Sequence, residues 1–203
     1  MPILQPDQIY QLLRNLTSPV VAITSERAGK RNGMISDSAV RASIAPTVPR
    51  VSVYIHKFNY SHDLIFETGR FVVHLLRDDQ FDLIHRLGFA SGRTRDKLAD
   101  VPHRLGTLGV PVLDACHAHF ECRVANVMDT GSSTCFLGDV TAVGYGAADA
   151  PRGGAVMTAA HFRAHMPAAW RAEYEALLGA AQAYAAERSR DIRAVVWKGL
   201  QQP

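Results

Sequence analysis

From His117 to Val124 apolar and polar residues alternate without a break. Ala118, Phe120, Cys122 and Val124 fall on one side, and His117, His119, Glu121 and Arg123 on the other. A period of two belongs to a β-strand, so this stretch predicts a strand with one buried and one exposed face. A second extended run, residues 134–143, follows the turn Asp129-Thr130-Gly131-Ser132-Ser133, with Gly138 placed for a bulge. Two strands joined by so short a turn must run antiparallel, which favours an antiparallel barrel over an alternating parallel sheet.

The rest of the chain extends that pattern. Residues 19–24, 51–55 and 71–76 read as further strands, Val51, Val53 and Ile55 sharing a face. Ile9, Leu12, Leu13 and Leu16 recur at helical spacing behind Pro6 and predict a short amphipathic helix. Asp78 or Asp79 is placed to cap a helix carrying Phe81, Ile84 and Leu87 and stopped at Gly88. Past the segment Pro151-Arg152-Gly153-Gly154 the chain becomes Ala-rich, with Trp170, Tyr174, Leu177, Ala181 and Tyr184 spaced by three or four. The expected fold is mainly β (α+β), a closed or partly closed antiparallel barrel with flanking helices. Residues 1–150 would form the barrel domain, and 151–203 a C-terminal helical extension packed on it or on a partner subunit.

Composition narrows the function. The 203 residues carry 22 basic and 19 acidic side chains, a net charge of +3, too weak and scattered for a nucleic-acid surface. No apolar run reaches the roughly 18 to 20 residues of a membrane helix. The opening Met1-Pro2-Ile3-Leu4-Gln5-Pro6 lacks the marks of a signal peptide, so the expected compartment is the cytoplasm. Cys116, Cys122 and Cys135 have no metal-binding spacing and predict buried or free thiols. The pairs His117/His119 and His161/His165 lack a third ligand and read as surface or dimer-contact histidines.

Two segments carry chemistry. Asn32-Gly33-Met34-Ile35-Ser36-Asp37-Ser38, with Ser43 beyond it, is a turn of small hydroxyl residues that can aim donors at an anion. Lys57, Asn59, Tyr60 and Ser61 follow a strand directly and add charge and further donors. Such a pair of segments suits a phosphorylated cofactor laid across a sheet. No Gly-x-Gly-x-x-Gly follows a strand, so a nicotinamide nucleotide would have no Rossmann site here.

These segments stand in a series with Gly69-Arg70-Phe71-Val72-Val73-His74, Ser91-Gly92-Arg93-Thr94-Arg95-Asp96-Lys97, Gly109-Val110-Pro111, Phe120-Glu121-Cys122 and Phe136-Leu137-Gly138-Asp139-Val140. The series resembles the flavin reductase family, over about residues 15 to 146. The resemblance implies a Greek-key split β-barrel that binds FMN at a homodimer interface. It implies that Lys57, Asn59 and Ser61 hold the phosphate, with Ser36 and Ser38 near the ribityl chain, Ser43 near the ring, backbone groups of residues 32–38 at the ring edge, and Met34, Ile35, Asp37 and Tyr60 among the cofactor-binding residues. Arg93 and Lys97 would close the site. It implies an NAD(P)H-dependent flavin reductase, with NADH or NADPH as substrate and a monooxygenase or other redox partner. The alternative is an electron-transfer protein that retains its FMN.

This chain departs from the family pattern in three places. Ile35-Ser36-Asp37 stands where the family often has Thr-Ala-Asn, and residues 43–49 are longer than the usual Ser-x-Asp-Pro-Pro. Gly131-Ser132-Ser133 replaces a Gly-Asp-His common in members that use pyridine nucleotides.

Overall fold

The computed structural model of the protein describes residues 5–16, 18–147 and 154–197. Helix α1 (Pro6–Leu13) opens the described chain, and two strands, β1 (Val21–Arg27) and β2 (Lys30–Ser36), then form a tight hairpin. A short β3 (Ala39–Arg41) leads to β4 (Arg50–His56), helix α2 (Tyr60–Thr68), β5 (Arg70–Leu75) and helix α3 (Phe81–Gly88). A small hairpin of β6 (His103–Leu105) and β7 (Pro111–Leu113) precedes the long pair β8 (Ala118–Asp129) and β9 (Ser133–Tyr145). Helix α4 (Ala159–His165), a single 3-10 turn at Ala168–Trp170 and helix α5 (Arg171–Arg188) follow.

Seven strands form one antiparallel sheet in the order β2-β1-β5-β8-β9-β4-β3, curled into a half-barrel. The β8–β9 hairpin inserts between β5 and β4, so the link from β4 to β5 must cross from near one edge of the sheet to its middle, and α2 rides on that link. Gly69 makes the crossing compact. It ends α2 in the left-handed region (φ 67°), where its N–H caps Ile65 O, and β5 begins at the next residue.

Side chains meet inside the curl. Phe71, Phe136, Val53, Ile55 and Ile65 are fully buried there, and Trp197, far along the chain, packs its ring edge against Phe66 at 5.8 Å. A second cluster lies outside the barrel, where Ile84 and Leu87 of α3 meet Leu76, Leu98, Met157 and Phe162. The absence of a side chain at Gly33 lets Leu87 sit against β2, since a Cβ there would lie 2.9 Å from Leu87 Cδ2. Burial of this kind contributes about 25 cal/mol for each Å² of apolar surface removed from water.

Several sequence readings need correction. The middle of the polar side of β8 is not exposed, although Arg123 is: His119 is only 6% and Glu121 only 3% accessible. The β6–β7 hairpin covers it, and Glu121 accepts hydrogen bonds from Leu108 N at 3.0 Å and Thr107 Oγ1 at 2.9 Å. Burial pushes the Glu121 carboxyl up, but those hydrogen bonds hold it below the usual range. His119 is therefore a buried histidine, not a surface one. Two irregularities, between Glu121 and Cys122 and between Val124 and Asn126, break the alternation and bend the strand. Gly138 pairs with Val124 beside the second of them, where a Cβ would strike Phe71 Cζ at 2.7 Å. Helix α3 is capped by Gln80 rather than Asp78 or Asp79, and it ends at Gly88 as expected. The expected boundary at residues 150 and 151 lies outside the described residues.

Candidate functional site

The site is assembled where the N-terminus of α2, the end of α3 and the middle of β2 converge. Asn59 caps α2 from an extended conformation without using its side chain, which leaves the first N–H groups of the helix facing outward. Against them stands Asn32 of β2, 2% accessible, whose Nδ2 donates to Ser61 Oγ at 2.8 Å. Ser25 Oγ reaches the same oxygen at 3.3 Å. Asn32 Oδ1 is buried without a hydrogen-bond partner. Rotating that amide by half a turn would keep the bond to Ser61 and place Nδ2 where Oδ1 now lies, against Gly92.

These groups line a cavity of about 170 Å³, closed by Met34, Tyr60, Ser91, Gly92 and Lys97. Gly92 is required for the fit, because a Cβ there would overlap Asn32 Oδ1. Lys97 is 4% accessible and donates to Leu87 O at 2.7 Å, which ties residues 91–98 to the end of α3. Burial lowers its pKa from 10.5 to about 8.

A second cavity of about 360 Å³ adjoins the first and shares Phe58, Asn59, Gly88, Phe89 and Leu177 with it. Its polar edge is Ser36, Asp37 and His56, and its apolar walls include Ile35, Phe162, Tyr174 and Leu177. His56 stacks on Phe58 at 5.3 Å and bonds Ser133 Oγ at 2.9 Å, while burial lowers its pKa against the pull of Asp37. Together the cavities form one cleft with a donor-rich end and a flat, mostly apolar end, the shape of a site for a phosphorylated planar molecule.

Met34, Ile35, Ser36, Asp37, Asn59, Tyr60, Ser61 and Lys97 therefore line one cleft, though they come from three separate segments. Four other candidates lie apart from it. Ser38 Oγ donates to Tyr54 O at 2.9 Å. Ser43 lines a separate trough on the sheet. Arg93 pairs with Asp63 at 2.7 Å and covers the Tyr60 ring, at the mouth of a neighbouring groove. Lys57 Nζ is held by both Asp129 oxygens, at 2.8 and 2.9 Å, and does not line the cleft. Burial raises the Asp129 carboxyl, but Lys57 and the Gly131 N–H more than reverse that.

Sequence reasoning did not name Asn32, His56, Phe58, Phe89 or Gly92 as site residues, nor Tyr174 and Leu177 of α5. The first and the fifth stood inside quoted motifs. The α5 residues carried no chemical signal. Among the described residues no cluster of His, Cys, Asp or Glu could hold a metal ion, and no helix is long and apolar enough to cross a membrane.

An antiparallel half-barrel with a cleft of this kind defines a class of cofactor-binding split barrels. Residues 13–169 match the flavin reductase like domain, and the chain belongs to that family. It is 32% identical, over 64% of its own length, to a high molecular weight rubredoxin of Moorella thermoacetica, and it spans only 56% of that relative. Among solved structures it is similar to an FMN-binding protein of Thermus thermophilus with bound p-hydroxybenzaldehyde, at 28% identity and a TM-score of 0.59, covering 64% of this chain and 72% of that one. It is also similar to nitrilotriacetate monooxygenase component B of Mycobacterium thermoresistibile, at 27% identity and a TM-score of 0.63, covering 80% and 91%.

Proposed function

We propose that this chain is an NAD(P)H-dependent flavin reductase that binds FMN in the cleft and supplies reduced flavin to a monooxygenase. The observation that carries the reading is the cleft itself, donor-rich at the α2 N-terminus and apolar and flat at the other end. Its residues fit the cofactor. The α2 N–H groups, Ser61, Asn32 and Lys97 would hold the phosphate, and Ser36, Asp37 and His56 would meet polar atoms along one edge. Bound flavin supplies a two-electron hydride acceptor, chemistry that no side chain provides.

The chain's own part is binding and orientation. It holds a nicotinamide donor against the cleft and keeps water out, which suffices for hydride transfer and needs no general acid or base. Lys97 places positive charge beside an anionic ligand and is protonated below a pH of about 8. The likeness to a monooxygenase component supports a monooxygenase as the recipient of reduced flavin. Three buried free thiols suit a reducing cytoplasm.

A second copy of the chain is the partner we assign to the trough of about 660 Å³ that runs along the sheet past Val40, Ile44, Pro46, Phe120 and Val143. Its apolar rim supports a homodimer, with Ile44 88% and Val143 67% accessible.

The test is an anaerobic titration. FMN should acquire a protein-perturbed visible spectrum, and NADH or NADPH should then bleach it far faster than with FMN alone. No bleaching with either donor would overturn the reductase reading. One observation favours a flavin-retaining electron carrier as the second reading: the Gly131-Ser132-Ser133 turn is covered by the end of α5, with Ser189 Oγ 3.3 Å from Ser132 Oγ. A perturbed spectrum that stays oxidised with both nucleotides would select it.

A further inference from the structure

Helix α5 begins at Arg171, two residues beyond the stretch that matches the family domain. It is an addition to that domain. No residue of it is fully buried, although Tyr174 packs against the second core cluster. It is fastened at its two ends. At the first, Trp170 stacks on His85 at 4.3 Å, Glu173 reaches His85 Nε2 at 3.3 Å, and Tyr174 lies between Phe89 and Phe162. At the second, Tyr184 meets Phe58 edge-on at 5.0 Å, and the Arg188 carbonyl sits so near Gly131 that a Cβ there would be 2.5 Å away.

Between the ties α5 passes over the cleft. Leu177, Leu178 and Ala181 face the larger cavity, and Leu177 also lines the smaller one, so it stands at their junction. Leu177 is nonetheless 42% accessible. An exposed leucine at the junction of two cavities, on a helix tied beyond both, has unburied apolar surface that a bound ring would cover.

We infer that α5 supplies the second wall of the flavin slot and that Leu177, with Tyr174 and Leu178 beside it, is a flavin-binding residue contributed from outside the family domain. This rests on the cleft being the FMN site. The consequence is a flavin that binds more tightly, and leaves more slowly, than the barrel alone would allow. The residues concerned need only bury apolar surface, which loses about tenfold in affinity when a leucine is cut back to alanine.

The experiment measures FMN dissociation constants, release rates and iodide quenching of bound-flavin fluorescence for the wild type, Leu177→Ala and Leu177→Asp. Glu175→Ala, exposed on the same helix and outside the cleft, is the control. Circular dichroism and thermal melts verify that each variant is folded. Leu177→Ala should raise the dissociation constant and release rate about tenfold and increase iodide access, with Leu177→Asp stronger still and Glu175→Ala unchanged. Normal FMN binding and quenching in both Leu177 variants would overturn the inference while leaving the site intact. Failure of the wild type to bind FMN would instead overturn the site reading.

Discussion

Two concave regions of the molecule differ in what lines them. The cleft between α2, α3 and α5 contains buried polar groups, one of them without a partner, and is closed on three sides. The trough along β3, β4, β8 and β9 is larger, mostly apolar apart from Ser18, Arg41, Ser43 and Arg50, and bordered by exposed Val40, Ile44 and Val143. A buried amide oxygen left unpaired costs about 1–3 kcal/mol, a cost that the polar wall of the first region bears. An apolar trough recovers free energy by being covered, and the commonest cover is another copy. The proposed roles divide the same way, small-molecule binding in the first region and assembly in the second.

The strongest way to break this division is Gly92→Ala. The added methyl must displace Asn32 from Ser61, and the loss of about 2–3 kcal/mol should weaken FMN binding by roughly 30- to 150-fold in an equilibrium titration. Near-normal affinity would remove Asn32 and Gly92 from the site. Next, Val143→Glu places a charge on the trough wall and should raise the dimer dissociation constant at least about tenfold by light scattering. A variant that elutes as the wild type does would show that the trough is not the interface.

Lys57→Ala tests a boundary between the regions. Its ammonium neutralises Asp129 and so braces the β8–β9 turn, and its loss should lower unfolding free energy by about 1–3 kcal/mol in urea. FMN affinity should change little. A large affinity loss with unchanged stability would return Lys57 to the phosphate.

The smallest effects are pH dependent. Lys97, charged below about pH 8, should hold an anion less well as pH rises through 8, so FMN affinity should decline there in the wild type and not in Lys97→Met. His74 is buried and neutral, bonded to Ala22 O at 3.2 Å and accepting from Leu113 N at 3.0 Å, and burial lowers its pKa to about 3. Between pH 6.5 and about 3 the unfolded chain binds a proton there that the folded chain does not, so stability must fall as pH drops through that window. Urea unfolding at pH 7 and pH 5 measures it. His74→Gln, less stable at both, should show a shallower decline.

Much of the barrel was legible in the sequence because strands declare themselves locally. The period of two in β8, the turn at Gly131 and the apolar run of β5 each fix an element without reference to the rest of the chain. The donor-rich segments around Ser36 and Ser61 were legible for the same reason. Less legible was where those side chains would go. Lys57 looked free and is paired with a residue 72 positions away, and the polar face of β8 looked exposed and lies under a hairpin.

Sequence alone determined the strands, the antiparallel pairing of β8 with β9 and the residue types that can hold a phosphate, because these depend on neighbours along the chain. Tertiary structure decided which of those residues share the cleft. It brought Asn32 to Ser61, turned Lys57 to Asp129 and laid α5 across the opening. Those outcomes depend on long-range packing and on which buried charges find partners, and no local pattern in a chain encodes either.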